Sequence, residues 1–179
     1  VLVFQIIGVD GTSMANTLAD GERMFVAKYP YLLGDPDRFD VVICNYPDRG
    51  NTKFVKRVVG IPGDTVAVFG GLLYINGEPV YEDYIEYPPH YMLPETEVAE
   101  GHYFVLGDNR ANSNDSHVDA VGQLERRQLL DRVDAVGWPF SDARWLDRCE
   151  PGGYIVFHAI LFSAIRRVGS RPRNQGNRW

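Results

Sequence analysis

A chain of 179 residues, 45% apolar and 23% charged, has ordinary globular composition and enough length to bury a core, which argues against disorder and against a need for disulfides or metals to fold. Its net charge of −6 leaves no overall basic footprint for nucleic acid, and no run reaches the roughly 20 apolar residues that span a bilayer. The charge is uneven: residues 166–179 carry five arginines (Arg166, Arg167, Arg171, Arg173, Arg178) and no acid, while residues 1–165 hold 13 basic and 24 acidic residues.

In chain order, runs rich in Val, Ile, Phe and Tyr and bounded by Gly, Pro, Asp and Asn predict strands over 2–8, 23–28, 40–46, 53–59, 65–69, 72–76, 103–107 and 132–136. Gly70-Gly71 and Asn76-Gly77 are tight-turn signals. Residues 78–100, rich in Pro, Glu and Tyr, read as an irregular, exposed excursion. Residues 124–131 and the apolar run 154–165 are the helix candidates. Together these predict a mostly β fold: an antiparallel sheet or partly open barrel as core, an inserted β-rich subdomain and few short helices. The core spans 1–140, with its excursion at about 65–102, and 141–179 forms a C-terminal extension with a short apolar helix and the Arg-rich tail. For that extension two readings stand, a terminal helix packed on the body or a membrane-surface anchor. Cys44, inside Val41-Val42-Ile43-Cys44, reads as a small buried hydrophobe, with a Cys44–Cys149 disulfide as the alternative.

The commoner catalytic signatures are absent. There is no GxSxG, no P-loop and no GxGxxG, and His90, His102, His117 and His158 lack metal-ligand spacing, so neither a metal site nor a histidine-based triad has support. Three polar segments remain. Val9-Asp10-Gly11-Thr12-Ser13-Met14 puts a serine in a turn after an apolar strand, either as a plain turn residue or as an exposed nucleophile. Lys53 to Asp64 holds two of the three lysines, and strand alternation points Lys56 the same way as Phe54 and Val58. Such a lysine either snorkels from an edge strand or is buried, with its pKa lowered toward general-base strength. Gly107 to His117 is a dense loop of amides and charges, either solvated or holding a site by hydrogen bonds.

In this order the three segments resemble the bacterial type I signal peptidases, membrane-bound Ser–Lys proteases. Ser13-Met14 with Thr17-Leu18 is similar to the family's nucleophile motif. Lys56-Arg57 followed by Val-Val-Gly-Ile-Pro-Gly-Asp is similar to its general-base motif, and Gly107-Asp108-Asn109-Arg110 with Asn112-Ser113-Asn114-Asp115-Ser116 to its third motif. Arg38 to Val42, Tyr74 to Gly77 and Gly101 to Leu106 extend the likeness over about residues 5–140. The resemblance implies Ser13 as nucleophile, Lys56 as general base and Ser113 as the hydroxyl that orients the lysine. It implies Arg57, Asp108, Arg110 and Asp115 as a supporting charge network. Val9, Met14, Leu18, Phe54 and Val55 would line shallow pockets for the small residues of a signal-peptide cleavage site. Only backbone donors are assured for the oxyanion, because Gly11 stands where some relatives have a serine.

Two positions depart from the family pattern. Asn16 stands where Pro is usual three residues after the nucleophile, and His117 stands where Arg usually ends the third motif. No cofactor or metal is implied. The implied partners are preprotein signal peptides and membrane lipid, with no nucleic acid. The implied location is the bacterial cytoplasmic membrane with the catalytic domain on its extracytoplasmic face, and the start at Val1 suggests an anchor removed upstream. The competing readings are an inactive homologue that binds exported peptides and a self-cleaving Ser–Lys repressor-type protease.

Overall fold

The computed structural model describes residues 4–27 and 34–146, all within one compact unit, Val1–Cys149. Twelve strands run through them: β1 (Phe4–Gly8), β2 (Arg23–Ala27), β3 (Val41–Asn45), β4 (Lys53–Gly60), β5 (Thr65–Phe69), β6 (Leu72–Ile75), β7 (Glu78–Val80), β8 (Leu93–Glu97), β9 (His102–Leu106), β10 (Leu124–Glu125), β11 (Leu129–Trp138) and β12 (Arg144–Trp145). The helical content among the described residues is two 3-10 turns, Arg126–Gln128 and Phe140–Asp142. The larger sheet is antiparallel in the order β1-β2-β11-β3-β4-β9-β10, with β12 beside β11, and the smaller one runs β7-β6-β5-β8. The smaller sheet is the insertion, leaving the core after β4 and returning at β9, so the fold is mostly β with an inserted β-rich subdomain, as expected.

The continuous apolar run of β3 has a direct cause. Val41 and Ile43 enter one core cluster with Met14 and Leu18, whereas Val42 and Cys44 enter another with Val58 and Leu129. A strand covered on both faces cannot alternate with polar residues. A third cluster joins the two sheets, with Val66, Val68, Leu73 and Ile75 of the small sheet against Val59, Phe104 and Leu106 of the large one. Gly60 permits that approach: a Cβ there would stand 2.6 Å from Val66 Cγ2 and 2.9 Å from Val98 Cγ2. In the small sheet Gly70-Gly71 and Asn76-Gly77 all have positive φ, the requirement of the tight hairpin turns that join β5 to β6 and β6 to β7.

Two expectations need restating, and a third, the buried Cys44, holds. Residues 124–131 are not a helix: they form β10, one 3-10 turn and the start of β11. From Leu129 to Ala135 buried residues recur at every second position, which is the strand period, and Glu125 with Gln128 caps only the short turn. The excursion over 78–100 is neither wholly irregular nor wholly exposed, since it contains β7 and β8 and buries Glu82. Cys44 is a free, fully buried thiol, while Cys149 and the apolar run 154–165 with its tail lie outside the described residues.

Candidate active site

Ser13 lies in the connection between β1 and β2. That loop is closed at its neck by Val9 N–H to Glu22 O at 2.8 Å and Gly21 N–H to Val9 O at 3.0 Å. One helix-like bond, Leu18 N–H to Met14 O at 2.7 Å, turns Met14 and Leu18 into the core and leaves Ser13 at its edge. Gly11, at φ 106°, makes the sharp reversal before it. Arg144 in β12 braces the same loop from behind, with Nη1 and Nη2 donating to Glu22 at 2.8 and 2.9 Å and Nη2 donating also to Thr17 O.

Lys56 lies on β4 opposite Val42 of β3. It is 1% exposed, and its Nζ donates to Ser13 Oγ at 2.6 Å and to Val55 O at 3.0 Å. Burial pushes its ammonium below the ordinary value, against the opposing pull of Asp115, Cys44 and Asp108. A lysine held against a serine hydroxyl and drawn toward its neutral form can accept that hydroxyl's proton.

The loop after β9 packs against the Ser13 turn. Asn109 N–H donates to Ser13 O at 3.0 Å, and Asn109 Nδ2 to Thr12 O at 3.0 Å. Asp108 is fully buried and accepts two bonds from Arg57, from Nε at 2.9 Å and Nη2 at 2.7 Å, and a third from the Thr17 hydroxyl. Gly107 donates to Asp115 Oδ2 at 2.7 Å, while Asp115 Oδ1 meets His117 Nδ1 at 2.5 Å and the His117 ring stacks on Tyr91. There is no space at Gly107 for a side chain, because a Cβ would stand 2.2 Å from Ser113 Oγ and 2.5 Å from Ser13 O. Ser113 Oγ is buried at this contact and makes no hydrogen bond among the described residues. The expected bond from Ser113 to Lys56 is not made in this arrangement. Among the described residues no cluster suited to a metal ion occurs.

Residues 1–138 match the family model described as signal peptidase, peptidase S26. The chain belongs to this family. That membership places it among the serine peptidases, hydrolases by class. It is 40% identical over 136 residues to a relative from Synechocystis named "Probable signal peptidase I-2", covering 73% of this chain and 62% of that protein, so it spans less than two thirds of this relative's length. It is 37% identical over 161 residues to the signal peptidase I of Bacillus licheniformis, covering 81% of this chain and 82% of that one. A crystal structure of a signal peptidase I from Enterococcus faecalis is 32% identical and aligns over 54% of this chain and 94% of that chain, with a TM-score of 0.47.

Within this signal peptidase family chain the structure brings Ser13, Lys56, Ser113, Arg57, Asp108, Arg110 and Asp115 into one neighbourhood. The residues read as pocket lining divide. Val9, Met14 and Leu18 share one core cluster with Val55 at its margin, and Met14 and Leu18 are 2% and 0% exposed. Phe54 faces elsewhere and stacks on Tyr46 with ring centroids 4.1 Å apart. Asn16 has φ 81°, in the left-handed region that Asn tolerates and Pro cannot reach. In the orientation that satisfies both its amide atoms, it donates to Glu86 Oε2 at 2.9 Å and accepts from Glu86 N–H at 3.0 Å. Glu82 and Glu86 of the excursion, and the Arg144–Glu22 brace, escaped the sequence reading. Acids in a Pro- and Tyr-rich stretch look like solvated loop, and nothing local names their partners.

Proposed function

We propose that this chain is a membrane-associated serine endopeptidase that cleaves N-terminal signal peptides from exported preproteins, with Ser13 as nucleophile and Lys56 as general base. The observation that carries the reading is the buried Lys56 amine 2.6 Å from the Ser13 hydroxyl, in a chain of the signal peptidase family. In its neutral form the amine takes the Ser13 proton as Oγ attacks the scissile carbonyl. The Ser13 backbone N–H faces the oxyanion of the tetrahedral intermediate. The ammonium then gives its proton to the leaving amine, which departs with the mature protein, and an acyl ester remains on Ser13. Lys56 next takes a proton from water, the hydroxide attacks the ester, and Ser13 recovers its proton as the signal peptide leaves. Ser113 keeps the amine aimed once Ser13 Oγ is acylated. Arg57, Asp108, Arg110 and Asp115 hold the loop that carries Ser113. Val9 and Val55 border the site where small substrate side chains dock, with Met14 and Leu18 as its floor.

The location proposed is the extracytoplasmic face of a bacterial cytoplasmic membrane. Support comes from the apolar surface at the β1–β2–β11 end of the large sheet. Ile6 and Phe25 are cross-strand partners, Phe25 pairs also with Ala135 of β11, and Trp138 meets Phe140 edge-on at 4.9 Å. These four side chains are 39–77% exposed, a contiguous apolar surface of the kind that marks a membrane or protein contact, and tryptophan such as Trp138 settles at membrane–water interfaces. Among the described residues no helix is long and apolar enough to cross a membrane.

The deciding experiment is preprotein cleavage by Ser13→Ala and Lys56→Ala, each checked for a native circular dichroism spectrum. Both should lose about 10⁴-fold or more in rate, and only the parent should acquire the mass of a serine-reactive inhibitor at Ser13. Parental cleavage by either variant overturns the reading.

A further inference from the structure

Gly107 packs against the Ser13 carbonyl and the Ser113 side chain, and its backbone is held from both sides. Asp115 Oδ2 takes its N–H at 2.7 Å, and Arg110 Nε donates to its carbonyl at 3.0 Å. Arg110 is in turn held from the inserted excursion. Glu82, on the segment between β7 and β8, receives Arg110 Nη1 on Oε2 at 2.7 Å and Arg110 Nη2 on Oε1, a two-point fork. The two side chains are 0% and 2% exposed. Tyr84 donates to the same carboxylate, and its ring lies under the Arg57 guanidinium at 3.9 Å from the centroid. The excursion therefore grips Arg57 beside Lys56 and Arg110 of the third motif.

A buried ion pair is seldom more stabilising than an apolar replacement, but a planar two-point fork fixes direction. What that direction fixes here is the Gly107 carbonyl. Because Gly107 is packed against both Ser113 Oγ and Ser13 O, and the amide two residues on, Asn109 N–H, bonds Ser13 O, displacement of Gly107 carries Ser13 with it. We propose that Glu82 is a positioning residue of the Ser13–Lys56 pair, acting through Arg110 and the Gly107 peptide. The proposal rests on the Ser–Lys reading of the site.

The test uses Glu82→Gln, Arg110→Lys and the double variant in the full chain. It combines cleavage kinetics on a signal-peptide-derived substrate with the backbone amide resonances of Gly107 and Asn109. Lysine keeps the charge opposite Glu82 but cannot hold both the fork and the Gly107 carbonyl. Each single variant should lower kcat about tenfold and leave KM within about twofold. Each should move both amide resonances, and the double variant should fall little further than either single one. Unmoved resonances with parental kcat, or a raised KM with parental kcat, overturn the proposal. If Glu82→Gln does not fold, Arg110→Lys decides alone on the same criteria. If the parent cleaves nothing while the resonances still move in the variants, the signal-peptidase reading fails and the mechanical coupling stands.

Discussion

Lys56 is a cation-forming side chain on β4, paired with β3 and packed to 1% exposure against the Ser13 hydroxyl, so its chemistry and its cost to the fold have one origin. Burial lowers its folded pKa below the ordinary 10.5. Between that lowered value and 10.5 the unfolded chain binds the extra proton, so stability rises with pH across this window and the penalty is complete below it. Lys56→Met should therefore fold, gain about 1 kcal/mol at neutral pH, lose that slope and be inactive; urea titrations at pH 7 and 10 check this. In the parent, cleavage should rise with pH along an acid limb set by Lys56 and centred below pH 10.5. A kcat/KM profile with no acid limb below pH 10.5 contradicts that assignment. This residue was legible in the sequence, because period-two alternation on a valine-rich strand points it inward. The state of Ser113 was not. Only the packed contact with Gly107 shows its hydroxyl buried and without a hydrogen-bond partner among the described residues.

The strands themselves could be read because runs of Val, Ile, Phe and Tyr between turn-forming Gly, Pro, Asp and Asn suit a pleated sheet, and β3, β4, β5 and β9 fall within a residue or two of their expected bounds. Residues 124–131 were misread because a short run of Leu124, Leu129 and Leu130 around charged and amide residues suits a helix as well as a strand, and local pattern does not decide short runs. The excursion was illegible for another reason. Its ties are distant in sequence, with Glu82 reaching an arginine 28 positions on. At this scale the large sheet depends on Arg57 and Asp108, which link β4 to the loop after β9 at 2% and 0% side-chain exposure. Asp108→Asn leaves a buried guanidinium short of its counter-charge and should cost about 3 kcal/mol, read as a lower urea midpoint. Gly107→Ala drives a methyl group into Ser113 and the Ser13 carbonyl. It should cut kcat about 100-fold, and retention of parental kcat would show the contact to be soft.

Over the whole molecule, two carboxylates tie distant segments. Burial disfavours the ionised form of both, but hydrogen bonds from Arg144 and Ala19 to Glu22, and from Arg38, Ile61 and Asn76 to Asp64, outweigh it and hold both pKa values below the ordinary 4.5 and 3.8. Their stabilisation is present above those ordinary values and is lost as pH falls through the lowered ones. The parent should lose stability between about pH 5 and 2, and Glu22→Gln with Asp64→Asn should flatten that loss in urea titrations. Trp138→Ser with Phe140→Ser should weaken binding to anionic vesicles while sparing hydrolysis of a short soluble peptide, as sedimentation assays would show. Cys44 closes the account of the core. Its thiol is fully enclosed in β3, and burial pushes it up to about 12, so at neutral pH it is almost wholly protonated as well as out of reach of an alkylating reagent. With Cys149 replaced by Ser, the rate at which Cys44 acquires a label becomes a stopwatch for opening of the central sheet, readable without any substrate.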